Sequence, residues 1–194
     1  MPLRASAFIA TSLDGFIARP DGALDWLPGA DPDAPPEDDH GYAAFLADVD
    51  VIVWGRATYD VVAGFDMPWP YGDRRVVVLS TTLKEADLPE RFRGKVEVHP
   101  GPVAALVARL EAAGARHAYV DGGQVIRGFL REGRLDALTV TRVPVLLGVG
   151  IPLFGDVGGD VRMTHVRTVA YESGLVQSTY AARAEAPRRP TPAE

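Results

Sequence analysis

The chain contains no cysteine. That excludes disulfide frameworks, thiolate zinc sites, cysteine nucleophiles and CxxC redox chemistry together. It also lacks any run of 18 apolar residues, and Met1-Pro2-Leu3-Arg4-Ala5 leads into a strand-like segment with no charged n-region and long h-region, so neither a membrane span nor a targeting peptide is expected. A basic excess is missing as well: Lys and Arg number 20 against 26 Asp and Glu, a net charge of −6, which argues against nucleic acid as a partner. A cytoplasmic protein is expected. The 194 residues, 47% hydrophobic and 24% charged, have the composition of a globular chain able to build its own core.

Short apolar runs at 7–10, 51–54, 76–79 and 118–120 each end in polar or glycine residues, the pattern of strands covered on both faces. Between them, Tyr42, Phe45, Leu46 and Val49 recur at helical spacing, as do Val103, Leu106, Val107 and Leu110. Val125, Ile126, Phe129 and Leu130 make a third stripe, closed by Gly133. The last third alternates instead, with strand-like stretches at 162–172 and 175–183 around Ser173-Gly174, a hairpin signal. A parallel core with antiparallel strands added late is the fold expected, as one domain over residues 1–183. Residues 184–194, with three prolines and no large apolar side chain, read as a frayed tail. The acidic, proline-rich run from Asp31 to Asp39 reads as a loop whose carboxylates cap a helix beginning near 37–39, not as a metal site.

Several familiar sites are absent. There is no G-x-S-x-G and no H-E-x-x-H, and the glycines at 123 and 128 are followed by Phe129 where a phosphate-binding loop needs Lys. The four histidines lie at no ligand spacing, and no metal site is expected. Gly148-Val149-Gly150 precedes no helical pattern and reads as a turn between strands.

Three constellations remain. Gly55-Arg56-Ala57-Thr58-Tyr59 follows an apolar strand and opens a helix; a glycine there allows close backbone approach, the helix start presents free N–H groups, and the Arg fork matches a phosphate. Asp121-Gly122-Gly123-Gln124-Val125-Ile126 repeats that arrangement after another strand. Two such turns on one mainly parallel sheet point to a ligand at the carboxyl ends of the strands, with Leu79-Ser80-Thr81 adding hydroxyls at the same edge. The third is Ala10 to Ala18, turning at Asp14-Gly15 into a long loop with Asp21-Gly22 and Leu24-Asp25-Trp26, of a length common in lids and binding loops.

The order S-L-D-G-F-I-A, D-G-x-L-D-W-L, G-R-x-T-Y, D-G-G-x-x-I and P-V-L-L-G-x-G-x-P-L-F, spread from about Arg4 to Arg183, resembles the dihydrofolate-reductase-like family that includes the reductase domain of bacterial riboflavin biosynthesis. The resemblance implies a three-layer α/β fold with a mixed, mostly parallel sheet, antiparallel C-terminal strands and helices on both faces. It implies NADPH as hydride donor and a homodimer. On it, Gly55, Arg56 and Thr58 hold the pyrophosphate and 2′-phosphate, and Leu79, Ser80 and Thr81 face the adenosine. Gly122, Gly123, Gln124, Val125 and Ile126 form the turn over the pyrophosphate and nicotinamide ribose, while Ala10, Gly15, Phe16 and Ile17 wall the nicotinamide. Asp39, 17 residues before Arg56 as in folate reductases, and Asp14 are the candidate catalytic acids, with a capping role for Asp39 equally open; Asp25, Trp26 and Tyr59 are carried to the substrate side. The zinc deaminase of the bifunctional riboflavin enzymes needs cysteines this chain does not have. The expected activity is reduction of a small heterocyclic substrate, resembling a ribosylaminouracil phosphate or dihydrofolate. The alternative is a cofactor-binding or sensor protein that keeps the fold without turnover.

Overall fold

A strand apolar on every residue is stable only in the middle of a sheet covered on both sides. Residues 51–54 and 76–78 are of that kind, and all are buried. The computed structural model describes residues 1–28, 39–65 and 69–182. In chain order the elements are β1 (Arg4–Ser12), β2 (Phe16–Ala18), α1 (Tyr42–Ala47), β3 (Val51–Gly55), α2 (Arg56–Gly64), β4 (Arg75–Leu79) and β5 (Val96–His99). Then come α3 (Val103–Ala112), β6 (His117–Asp121), α4 (Gly123–Arg131), β7 (Ala137–Val143), β8 (Ile151–Pro152), β9 (Met163–Ala170) and β10 (Val176–Ala182). Single 3₁₀ turns at Glu85–Asp87 and Glu90–Phe92 lead into β5.

Eight strands form one sheet in the order β5-β4-β3-β6-β1-β7-β10-β9, and β2 and β8 pair separately. The strands from β5 to β7 run parallel, and β10 is antiparallel to both β7 and β9. The late antiparallel hairpin expected around Ser173-Gly174 is β9–β10. Strand alternation divides each apolar run between two cores. Val51, Val53, Val77, Ala118 and Val120 meet the α3 and α4 stripes on one face. Ile52, Trp54, Val76, Val78 and Tyr119 meet Tyr59, Phe92 and the half-buried Tyr42 and Phe45 on the other. Helices therefore cover both faces.

The topology fixes where a ligand fits. From β3 the chain passes through α2 to β4 on one side; from β6 it passes through α4, beyond β1, to β7 on the other. The neighbouring ends of β3 and β6 are thus a switch point, where the outgoing loops diverge and leave a crevice. The short β5 and the β2–β8 pair carry too little pattern to be legible beforehand. Most of the acidic run, residues 31–38, and the expected tail at 184–194 lie outside the described residues.

Candidate active site

The two strand-end turns touch. Gly122 has φ 95°, a conformation L side chains rarely adopt, and a Cβ there would lie 2.5 Å from Thr58 Oγ1 and 3.8 Å from the Gly55 nitrogen. A Cβ at Gly55 would in turn meet Val125 Cγ2 at 3.0 Å. Gly55, Thr58 and Gly122 are therefore in one place because only glycine lets the start of α2 pack on the start of α4. Neither helix has a side-chain cap. Their first-turn N–H groups stay open, and the two positive helix ends add at one spot. Arg56 stands beside them, its Nε donating to both carboxylate oxygens of Asp60 at 2.8 Å, with no partner for its Nη groups among the described residues. At the adjoining end of β4, Ser80 is buried and its Oγ accepts from the amides of Thr82 and Leu83, while Leu79 is half-buried and Thr81 exposed. Gln124 is exposed, and the side chains of Val125 and Ile126 face the core, so those two offer only backbone to a ligand.

The segment after β1 is fastened over this cradle. Gly15 turns with φ 85°, the Asp14 carboxylate takes the Ser12 hydroxyl at 2.5 Å, and it also accepts from the amides of Leu147 (3.2 Å) and Gly148 (2.7 Å). Phe16 and Ala18 pair with β8. Gly150 passes so close beneath that a Cβ would sit 2.5 Å from the Ala18 carbonyl and 2.9 Å from Phe16. Ile17 Cδ1 comes within 3.0 Å of the Cβ position of Gly123, covering the start of α4, and half-buried Ala10 lies on β1 beneath. Arg127 completes the fastening by donating from Nη1 to the carbonyls of Pro152 and Leu153 at 2.9 and 3.0 Å.

Asp121 closes β6 at the switch point, next to Trp54 in the sheet register. Among the described residues its Oδ1 accepts only from the neighbouring Gly122 amide, at 2.9 Å. Around it stand Tyr42, Tyr71 and Tyr119, each held above the ordinary phenol range chiefly by burial and further by the Asp121 charge; Tyr42 is pushed up to about 12. Phe8 and Trp54 add rings 5.5 Å from Tyr42 and 5.2 Å from Tyr71. Burial in this aromatic setting pushes the Asp121 carboxyl up to about 6, against the weaker opposing pull of the Gly122 amide. A half-buried carboxyl tuned toward neutrality at a strand end suits a proton donor.

The two acids expected from sequence sit differently. Asp39 accepts from the amides of Gly41 and Ala43, both at 2.8 Å, and these bonds hold its carboxyl below the usual range. It is a cap for α1. Asp14 is held low first by the Ser12 hydroxyl, helped by the Gly148 and Leu147 amides. Both stay ionised at neutral pH and serve the backbone. Tyr59, expected toward substrate, is 4% exposed and packs on Phe92 at 6.0 Å, because the 59, 62, 63 stripe of α2 faces the sheet. Asp25 is exposed and paired with Arg19 at 2.6 Å. With Leu24, Leu27, Val61 and Phe65 it lines a cleft of about 520 Å³ between the lid loop and α2. Trp26 is half-buried, with its Nε1 enclosed and without a partner among the described residues. Arg74 donates to the carbonyls of Leu46 and Val49, and Arg75 pairs with Glu97, so both are structural. Among the described residues no group of side chains is placed to hold a metal ion, and no helix is long and apolar enough to cross a membrane.

Known proteins resemble this chain in sequence and fold. The protein YwjB of Bacillus subtilis (strain 168), itself uncharacterized, is 31% identical over 166 residues, 84% of this chain and 89% of that one. A solved structure from Shewanella sp. PV-4, described only provisionally as a riboflavin biosynthesis protein, superposes with TM-score 0.84 at 38% identity, covering 93% of this chain and 99% of that chain. At the level of fold alone, dihydrofolate reductase from Enterococcus faecalis complexed with NADP(H) superposes with TM-score 0.61 at 20% identity, covering 92% and 96% of the two chains. The bifunctional deaminase and 5-amino-6-(5-phosphoribosylamino)uracil reductase of Thermotoga maritima does so with TM-score 0.67 at 15% identity, this chain spanning 57% of its length. Residues 6–177 match the RibD C-terminal domain, and the chain belongs to that family, with a dihydrofolate-reductase-like fold.

Proposed function

We propose that the protein is an NADPH-dependent reductase of a small heterocyclic substrate, of the ribosylaminouracil-phosphate or dihydrofolate kind. The observation that carries this is the contact between the α2 and α4 starts, with a carboxyl of raised pKa at the same switch point. The residues present suit a dinucleotide phosphate: two uncapped helix starts, a close approach that only glycine permits, and a cation beside them. NADPH, when bound, supplies the hydride.

The chain's own residues do the rest. The amides after Gly55 and Gly122 would hold the pyrophosphate, Arg56 would take the 2′-phosphate, and Phe16 and Ile17 would exclude water from the reacting face. Asp121 holds a proton at its free carboxyl oxygen for a substrate nitrogen. With its pKa near 6, about a tenth of the carboxyl is protonated at pH 7, against less than one part in a thousand for an ordinary Asp. Tyr42, Tyr71 and Tyr119 remain neutral and fix the polarity of the pocket. A cytoplasmic location and a homodimer belong to the same reading; β9, exposed over most of its length at the sheet edge, is the available contact.

The cofactor assignment is tested by titrating NADPH and NADH into the protein and into Arg56→Ala. Loss of a charge-assisted contact of about 1.5–3 kcal/mol raises the NADPH Kd by one to two orders of magnitude. NADH binding changes little. Equal losses for both cofactors contradict the placement of the 2′-phosphate on Arg56.

A further inference from the structure

The described molecule has a second opening that the reductase reading leaves unused. Where α2 ends, Val62 and Phe65 face Trp69, Tyr71 and Phe92 across a cleft of about 360 Å³, within the size range of small-ligand sites. Its two charged lining residues, Arg91 and Lys95, are both cations in a chain of net charge −6. Neither forms an ion pair with a carboxylate among the described residues. Each is held against a ring instead: the Arg91 guanidinium 5.0 Å from the centroid of Phe92, and the Lys95 ammonium 5.7 Å from that of Trp69. Arg91 is further anchored by donating to the carbonyl of Ala63.

The aromatic wall is rigid. Trp69 Nε1 donates to the Gly72 carbonyl at 3.1 Å, and Trp69 packs edge-on against Trp54, Tyr71 and Phe92 at 5.2–6.1 Å. The edge-on rings of Trp69, Tyr71 and Phe92 form one aromatic wall of the cleft, on which a flat ring can stack without rearranging them. Exposed cations with no carboxylate partner among the described residues add a preference for an anion.

We infer that the cleft formed by Phe65, Trp69, Tyr71, Phe92, Arg91 and Lys95 is a binding site for a flat aromatic anion, the ring stacking on the aromatic wall and the negative group bridging Arg91 and Lys95. The site does not depend on the reductase reading, and its position gives it access to that centre. Tyr71 is shared with the Asp121 cluster, and Phe65 also lines the lid-side cleft. A ligand here therefore touches the walls of the substrate region without touching the helix starts assigned to the cofactor.

The test is a direct titration of the whole chain with 4-nitrobenzoate and its neutral counterpart 4-nitrobenzamide, read by calorimetry and by quenching of tryptophan fluorescence. The site predicts saturable quenching by the carboxylate, at least tenfold tighter binding than for the amide, and weakening as salt is raised. Lys95→Gln and Arg91→Gln each weaken the carboxylate several-fold and together at least tenfold, leaving the amide unchanged. Trp69→Phe removes most of the quenching while calorimetry still detects binding. Both cations are exposed, so the variants fold, and circular dichroism checks it. Equal binding of acid and amide, an affinity indifferent to both cation variants, or no saturable binding at millimolar ligand overturns the proposal.

Discussion

Replacing Gly122 with Ala perturbs the point on which both halves of the proposed cofactor cradle depend. Two costs arise. The residue sits at φ 95° and ψ 133°, a conformation that costs a residue with a Cβ about 1–3 kcal/mol. The new methyl would also stand 2.5 Å from Thr58 Oγ1, well inside contact distance, so the Thr58 hydroxyl would have to swing away or the start of α2 shift. Together these amount to about 2–4 kcal/mol, a large share of the 5–15 kcal/mol that holds a typical domain folded. For a chain of this size that lowers the melting temperature by about 5–15 °C. Shifting the start of α2 also misplaces its amides, and the NADPH Kd rises at least tenfold. The companion variant Thr58→Ala/Gly122→Ala makes the two costs separable: removing the hydroxyl relieves the clash but not the dihedral, so about half of the lost stability returns. Thermal unfolding and a fluorescence titration of NADPH read both effects. A Gly122→Ala protein with unchanged melting temperature and unchanged NADPH affinity would refute the reasoning that these two turns are locked together.

Two further outcomes follow from the site. A carboxyl moved from 3.8 to about 6 favours its protonated form by about 3 kcal/mol, so in the native state Asp121 keeps its proton between those pH values while the unfolded chain loses it, and stability falls as pH rises through that window. Asp121→Asn removes this dependence: the variant melts above the parent at pH 8, the difference vanishes near pH 4, and the rise in turnover as pH falls toward 6 disappears; coincident pH–stability curves would contradict it. Asp14→Ala frees the Leu147 and Gly148 amides, so hydrogen exchange at those two positions accelerates, and amide protection equal to the parent's would show that the carboxylate does not fasten the lid.

The fold was readable because its signals are local. Apolar runs ending in Gly55 or Asp121-Gly122 announce strand-to-helix turns, and the stripes at 103–110 and 125–130 fall on the faces they predict. Asp39 and Asp14, the acids expected from sequence, both have their oxygens engaged: Asp39 by amides two and four residues on, Asp14 by the Ser12 hydroxyl and by the Leu147 and Gly148 amides that the fold brings from far along the chain. Tyr59 was legible in principle, since the 59, 62, 63 spacing turns it inward. Asp121 stood in view as part of a glycine turn. Its chemistry was not in view, because Tyr42, Tyr71 and Tyr119 come from α1, a loop and β6, and burial by distant segments leaves no mark in local sequence.

The central claim is hydride delivery at the Gly55–Gly122 switch point, and absorbance at 340 nm tests it most directly. Purified protein with NADPH is offered dihydrofolate, the ribosylaminouracil phosphate and simple carbonyl compounds in turn. The account predicts loss of absorbance with at least one heterocyclic member, slowed in Arg56→Ala at subsaturating cofactor and in Asp121→Asn at saturating cofactor. Tight NADPH binding with no decay for any member would contradict it, and would make the protein a cofactor-binding relative without turnover.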